Sequence, residues 1–531
     1  MSFQLLNRTV FPFKNVLALK HIFCHNATMI YKFDSFWSYI GDEPDYVLTQ
    51  VKDILTCHDY NYTTEQYTDV KFWLTHTNIL GQEVLKFPTG LCEYVAQKTG
   101  CQIEHKKTQY DAYTDHDVLQ IAQKVQKLFP GFEVRDYQKD LTLASVDKYS
   151  SMIVASVGSG KTSVMSMLVM LWKDKRILIT NNQNFILKQI YDRLLAMGVP
   201  LDEIATGTTD LTKRIVIIST QTSYNRIKDK NQEFLDYLQG VEVIINDECQ
   251  HYQSVSNFSM LFYTPNLQHL VGYTGSPFRN PNKPYSNATD MTTIALFGEP
   301  AITYSMEDSI ENQNIATPYS YFINYDCYKM EYMAGTDFFV QYNRSIVYNK
   351  QRNKAGIEIL RFLHNNGIKT LGLFRIVKKH GLVVLKELKK YGVKALFLQG
   401  GETIYECDSK LKITSRKGGI DEIKKALHED GYNIILASQV MDEGVDISSF
   451  QCGVLFTGGK SAIKIVQQTG RVSRAKSNGE NISLVIDFND TPINRMFANQ
   501  YKERKKTLKQ NGVIELQNLQ EVIDIVNRMK A

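Results

Sequence analysis

Long apolar runs are missing from this chain. No stretch of about 18 apolar residues occurs, so no membrane span is expected. Metal and disulfide patterns are missing as well. The cysteines are Cys24, Cys57, Cys92, Cys101, Cys249, Cys327, Cys407 and Cys452. They include no C-x-x-C pair, and none lies near a ligand-spaced histidine pair. A zinc site or a disulfide framework is therefore not expected, and such thiols suit a reducing cytosol. Charge of one sign is not in excess. A formal net charge of +5 argues against a basic coat for nucleic acid and leaves local basic grooves to be argued residue by residue. Repeats and low-complexity tracts do not stand out. Asp and Glu are absent from the first 33 residues, which carry Arg8, Lys14, Lys20 and Lys32. That composition is like an organelle presequence. Pro12 and the absence of serine-rich character favour a basic strand or tail instead, with Met29 as an alternative start.

What is present reads as globular. Apolar residues make up 43% and charged residues 22% of the 531. A chain of this length exceeds one hydrophobic core, so two to four domains are expected.

From about residue 130 short apolar runs alternate with helical stretches. The runs SMIVAS (151–156), RILIT (176–180), RIVIIST (214–220), VEVIIND (241–247) and HLVGYTGS (269–276) read as buried parallel strands. A second series comprises KTLGLF (369–374), KALFLQG (394–400), NIILAS (433–438), CGVLFTG (452–458) and ISLVIDF (482–488). Two α/β domains in tandem are expected, 126–305 and 306–531, joined through a stretch without clear period. Residues 1–125 lack the alternation and are rich in Tyr, Thr and Asp. They are expected to form a separate small α+β domain.

The stretch IVASVGSGKTSVM (153–165) lies between an expected strand and an expected helix. Gly158, Ser159 and Gly160 would let backbone N–H groups turn inward around phosphates, and the helix N-terminus adds partial positive charge. Lys161 suits the β- and γ-phosphates of a nucleoside triphosphate, and Thr162 suits Mg2+. Ala155 stands where such loops usually have their first glycine. In VEVIINDECQHY, Asp247 and Glu248 end a buried strand, the end at which parallel sheets bind ligands. Asp247 suits Mg2+, and Glu248 suits polarisation of an attacking water. QQTGRVSR offers Arg471 and Arg474 at helical spacing. Alone, such a pair usually means a solvated face, yet phosphoryl transfer needs positive charge of this kind.

As a set these segments resemble superfamily 2 helicases and translocases. ASVGSGKT (155–162), DECQ (247–250), YTGSP (273–277), ASQVMDEGVDI (437–447) and QQTGRVSR (467–474) follow that superfamily's motifs in order. RDYQ (135–138) is similar to its adenine-reading segment. LFGEP, RNKAGIEIL and LFRIVKKHG resemble the phage UvsW-type branch-migration helicases, relatives of the type III restriction translocases. The resemblance implies an α/β fold of two tandem RecA-like parallel-sheet domains, preceded by a small α+β N-terminal domain that binds DNA in such proteins. It implies a DNA helicase or translocase using ATP and Mg2+.

Carried over residue by residue, it makes Gln138 the adenine reader with Arg135 beside it. Gly444 and Asp446 would face the nucleotide, and Arg471 and Arg474 would be arginine fingers brought in by domain closure. Thr274, Ser276 and Gln467 fall in coupling segments. Gln250 stands where many members have His, and His251 follows it, so either is a candidate for coupling. Asn181-Asn182 replaces the more usual Pro-Thr. DNA contacts are expected at Thr220 and Gln221 and at Lys378 and Lys379, with solvated charge as the alternative for the lysines. Phe278, Trp37 and Trp73 are candidate strand-separating aromatics, core packing being the favoured alternative. YKERKKTLK (501–509) reads as a solvated helix face. Expected partners are branched or forked DNA without sequence preference and recombination or replication proteins, for a monomeric motor in the cytoplasm. An RNA helicase and a restriction-type translocase subunit are the alternatives; the DECQ box and the TGS segment argue against the D-E-A-D RNA group.

Overall fold

The computed structural model describes residues 29–32, 37–41, 44–61, 66–77, 83–105, 113–129, 132–156, 158–251, 259–279, 283–327, 337–400, 403–438, 450–459, 469 and 481–530. The chain forms two compact units. The first runs to Thr303, except that Ser156–Ser159 group with the second, Tyr304–Ala531.

A seven-stranded sheet forms the centre of the first unit. Its order is Ile204–Thr206, Ile215–Ser219, Ile177–Asn181, Val243–Asp247, His269–Thr274, Ser150–Ala155 and Pro300–Tyr304. The pairings from Ile204–Thr206 through Ser150–Ala155 are all parallel. Ile177–Asn181, Ile215–Ser219 and His269–Thr274 are buried from end to end. Their lack of polar alternation follows from cover on both faces. The helix Lys161–Leu171 is buried continuously from Ser163 to Val169. It is apolar all round because other helices, Asp115–Leu128, Asp136–Val146 and Asn184–Ala196, pack around it.

The strand order matters for the site. Ser150–Ala155 does not pair with Val243–Asp247; His269–Thr274 lies between them, with Thr274 opposite Val154 and Asp247 opposite Tyr273. Three neighbouring strands therefore end together, carrying the phosphate-loop stretch, the TGS segment and the carboxylate pair.

The N-terminal part of this unit holds a five-stranded mixed sheet, ordered Leu74–Thr77, Glu83–Pro88, Trp37–Gly41, Met29–Lys32 and Gln102–His105. Its core is continuous with that of the motor sheet. Ile40, Leu85, Phe87, Leu91 and Val95 belong to one buried cluster with Met291, Ile294 and Phe297. The helix Ala288–Phe297, buried at every position but Thr289, is the shared wall. Gly90 lies so close to it that an added Cβ would meet the carbonyl oxygens of Ile294 and Ala295. The Tyr94 and Tyr285 rings stack at 3.7 Å, and Cys57 Sγ lies 3.2 Å from Met291 Sδ. Helix Asp115–Leu128, opened by a Thr114–Asp117 capping box, runs across the expected boundary at 125/126.

The second unit holds a nine-stranded sheet. Its order is Ile413–Lys417, Thr403–Cys407, Ala395–Gln399, Ile434–Ser438, Thr370–Phe374, Cys452–Leu455, Ile482–Phe488, Thr317–Ile323 and Ile514–Leu516. It is parallel except for the first two pairings, which are antiparallel. All five expected strands are present. Thr317–Ile323 emerges from the stretch without clear period, and its burial alternates along most of its length.

Two arginines lie inside this unit. Arg352 Nε donates to Asp490 Oδ1 at 2.9 Å, and Arg504 donates to Asp487 at 2.6 Å and to Asp490 at 2.8 Å. All four residues are 2% exposed or less. Burial works against the Asp490 charge, but Arg352 and Arg504 outweigh it and hold that carboxyl below its ordinary value. The 501–509 stretch is thus not a simply solvated face. Arg504 turns inward because two buried carboxylates need a cation.

Both units have the RecA-like parallel α/β layout. Among the described residues no helix is long and apolar enough to cross a membrane.

Candidate active site

Gly158 and Gly160 take φ values of +84° and +80°, which other residues rarely adopt. Ser159 is buried, and its Oγ donates to Ser156 O at 2.7 Å. Gly160 precedes the helix Lys161–Leu171, and no side chain caps that helix. Its first N–H groups suit an anion. Lys161 Nζ donates to Ala155 O at 3.0 Å. Gln138 is buried and borders the same turn: an added Cβ on Gly160 would strike its Nε2. Gln138 Oε1 accepts from the Arg135 N–H at 3.2 Å. Thr162 is half-buried one residue beyond Lys161.

Asp247 ends its strand with Oδ1 buried and without a protein hydrogen-bond partner. Burial first, and the Glu248 charge second, push this carboxyl up to about 7, against the pull of Lys161. An acceptor-only oxygen placed this way fits a hydrated divalent cation. Asn181 Nδ2 donates to Asp247 O at 3.2 Å and approaches Asp247 Oδ2 at 3.5 Å. The Asn181-Asn182 departure thus has a structural use. Asn181 orients the carboxylate, and Asn182 Oδ1 accepts from Thr220 Oγ1 at 2.5 Å.

Glu248 has φ +57°, a strained value for a residue with a side chain. Gln250 is buried, and its Nε2 donates to Glu248 Oε2 at 2.6 Å. Thr274 is buried and accepts from the Ser276 N–H at 3.0 Å. Gly275 lies against Ala155 O and Lys161 Nζ, so the TGS turn borders the phosphate loop.

The arrangement suits binding and hydrolysis of a nucleoside triphosphate: backbone and Lys161 for phosphate, Thr162 and Asp247 for a cation, Glu248 for water. Residues 131–279 match the family described as type III restriction enzyme, res subunit, and residues 343–476 match the helicase conserved C-terminal domain. The chain belongs to superfamily 2 of the helicases. Putative helicase 22 of a Sulfolobus islandicus filamentous virus is 24% identical over 379 residues, 65% of this chain and 62% of that protein. The chain thus aligns with less than two thirds of the viral relative's length. The DNA 3'-5' translocase XPB2 of Sulfurisphaera tokodaii is 22% identical over 362 residues, 65% of this chain and 79% of its own. Among solved structures, UvsW of bacteriophage T4 is similar, with 16% identity, a TM-score of 0.42 and cover of 92% of this chain and 98% of that one.

Thr220 is buried, whereas Gln221 is exposed and donates to Asn225 Oδ1 at 2.9 Å. Lys378 and Lys379 are exposed in the turn Val377–Gly381. Phe278 is buried, and Trp37 and Trp73 are partly buried against the core. Gly444, Asp446, Gln467, Arg471 and Arg474 lie outside the described residues, as does the 1–28 segment.

Proposed function

We propose that this protein is an ATP-dependent DNA helicase or translocase that unwinds or branch-migrates branched DNA during replication, recombination or repair. The observation that carries the reading is the convergence of Ala155, Thr274 and Asp247 at the ends of three neighbouring strands, with Lys161 bonded to Ala155 O and Glu248 held by Gln250. In this reading Gly158–Thr162 bind the triphosphate, with Gln138 and Arg135 selecting adenine. Thr162 and Asp247 hold Mg2+, which supplies charge neutralisation at the phosphates. Glu248 takes the proton of the attacking water. Arg471 and Arg474 supply positive charge to the leaving phosphate oxygens, and Gly444 and Asp446 face the nucleotide. The name of the XPB2 relative favours DNA over RNA as the track. The cytoplasm is the proposed setting, with a monomeric motor and recombination or replication proteins as partners.

ATP hydrolysis measured without polymer and with linear duplex, single strand, RNA and four-way or forked DNA tests the reading. Stimulation by branched DNA is expected; stimulation by RNA alone would overturn it. Lys161→Ala abolishes turnover under every condition. Arg474→Ala retains nucleotide binding and loses roughly 10³-fold or more in rate.

A further inference from the structure

The second unit carries an aromatic and basic face that the nucleotide chemistry does not use. Arg375 directly follows the strand Thr370–Phe374. The Arg375 guanidinium lies 5.5 Å from the Phe338 ring centre, 5.0 Å from Phe339 and 5.1 Å from Tyr342. Tyr342 is anchored: it is buried, and its hydroxyl donates to Thr457 O at 2.6 Å. Phe338 and Phe339 are not buried. They are 37% and 51% exposed, meet edge to face at 6.0 Å, and are followed by Val340 at 54%.

The described segments that carry these rings and Arg375 hold more positive than negative charge. Segments 337–348 and 370–381 contribute Arg344, Arg375, Lys378 and Lys379 against the single carboxylate of Asp337. Asp337 is used locally, its Oδ1 accepting the Phe339 N–H. Among the described residues Arg375 makes no ion pair, so rings and not a carboxylate hold its guanidinium. Lys378 and Lys379 project from the next turn, both exposed.

We propose that this face is a stacking site for single-stranded nucleic acid, with base planes on Phe338 and Phe339 and phosphates against Arg375, Lys378 and Lys379. Two exposed rings beside the Arg375 guanidinium, with Lys378 and Lys379 exposed a few residues on, match the alternation of base and phosphate along a strand. A face of this kind holds bases without reading them, because every base has a π-face. An apolar protein helix would find its surroundings too basic, and a duplex would offer phosphates but no base planes. The inference rests on the proposed reading of a nucleic-acid motor and deepens it by naming where a strand is held.

Fluorescence anisotropy with two labelled probes, a short oligothymidylate and an abasic strand of equal length, tests the site. The double variant Phe338→Ala, Phe339→Ala loses roughly tenfold or more in affinity for oligothymidylate and stays close to wild type on the abasic strand. Lys378→Ala, Lys379→Ala loses affinity for both and flattens the salt dependence. Phe339→Trp keeps oligothymidylate binding, whereas Phe339→Leu, similar in bulk, loses it. Wild-type affinity in the double-alanine variant overturns the site while leaving the motor reading in place. Equal loss on both probes, or equal loss in Phe339→Leu and Phe339→Trp, also overturns stacking. A wild-type chain that binds neither probe sinks the motor reading together with the site.

Discussion

Asp247 carries one buried carboxylate oxygen without a protein hydrogen-bond partner, and Asn181 is the side chain that approaches the other. Groups that aim a metal-binding carboxylate commonly matter about 10- to 100-fold for affinity or activity. Asn181→Leu is therefore expected to lower kcat about tenfold, with a much smaller change in the ATP KM, in steady-state hydrolysis assays. A second residue gives a pH signature. His380 is buried between Phe374 and Phe456, with Asn353 Oδ1 2.8 Å from Nε2. Burial first, and then the charge of Arg352, push it down to about 3. Between that value and the ordinary 6.5 the unfolded chain takes up a proton that the folded chain refuses. Stability is thus full above about pH 6.5 and declines as pH falls, by about 2 kcal/mol at pH 5. Urea unfolding from pH 8 to 5 should show this loss, and His380→Gln should remove most of it. Lys161, Asp247 and Glu248 were legible in the sequence because each belongs to a short contiguous pattern at the end of an apolar run. Asn181 was not. Its partner lies 66 residues away, and its own segment departs from the expected Pro-Thr.

Helix Ala288–Phe297 is the element on which two bodies of structure depend. It follows the TGS turn, where the buried Asp290 accepts the Arg279 N–H at 2.8 Å, and it walls off the N-terminal sheet. Gly90→Ala would drive a methyl group into its carbonyls, a cost of about 1–3 kcal/mol. Thermal unfolding should drop accordingly, and protease should first cut the N-terminal sheet free. In the second unit the comparable element is the helix Arg495–Gln510, tied in by Arg504. Asp490→Asn leaves two buried guanidiniums short of charge, and about 3 kcal/mol or more of stability should be lost in urea titrations. Parallel strands were readable because burial on both faces makes them uninterrupted apolar runs. The arginine network was not, since Arg352 meets a carboxylate 138 residues away. A basic helix stretch gives no sign of which cation turns inward.

At the scale of the whole molecule, the N-terminal sheet and the first motor sheet are one hydrophobic body. A fragment ending near residue 125 would expose Leu85, Phe87, Leu91 and Val95, whose cover comes from Met291, Ile294 and Phe297. Such a fragment is expected to aggregate or to be digested readily, while a chain extended to Thr303 stays soluble; limited proteolysis and size exclusion compare the two. In sequence this region, residues 85–95 among it, lacked the strand–helix alternation. The structure explains why: those residues are written to fit a helix two hundred positions later, and local periodicity does not register a partner that distant. The same arrangement sets a clock on synthesis. At about 5–20 residues per second, roughly 200 residues separate the two sides of the shared core, so the ribosome presents Leu91 on the order of 10–40 s before Phe297 exists. For that interval the nascent chain carries an uncovered greasy surface. The rate of elongation, or a holdase that shields the surface meanwhile, then governs how much finished protein a cell obtains.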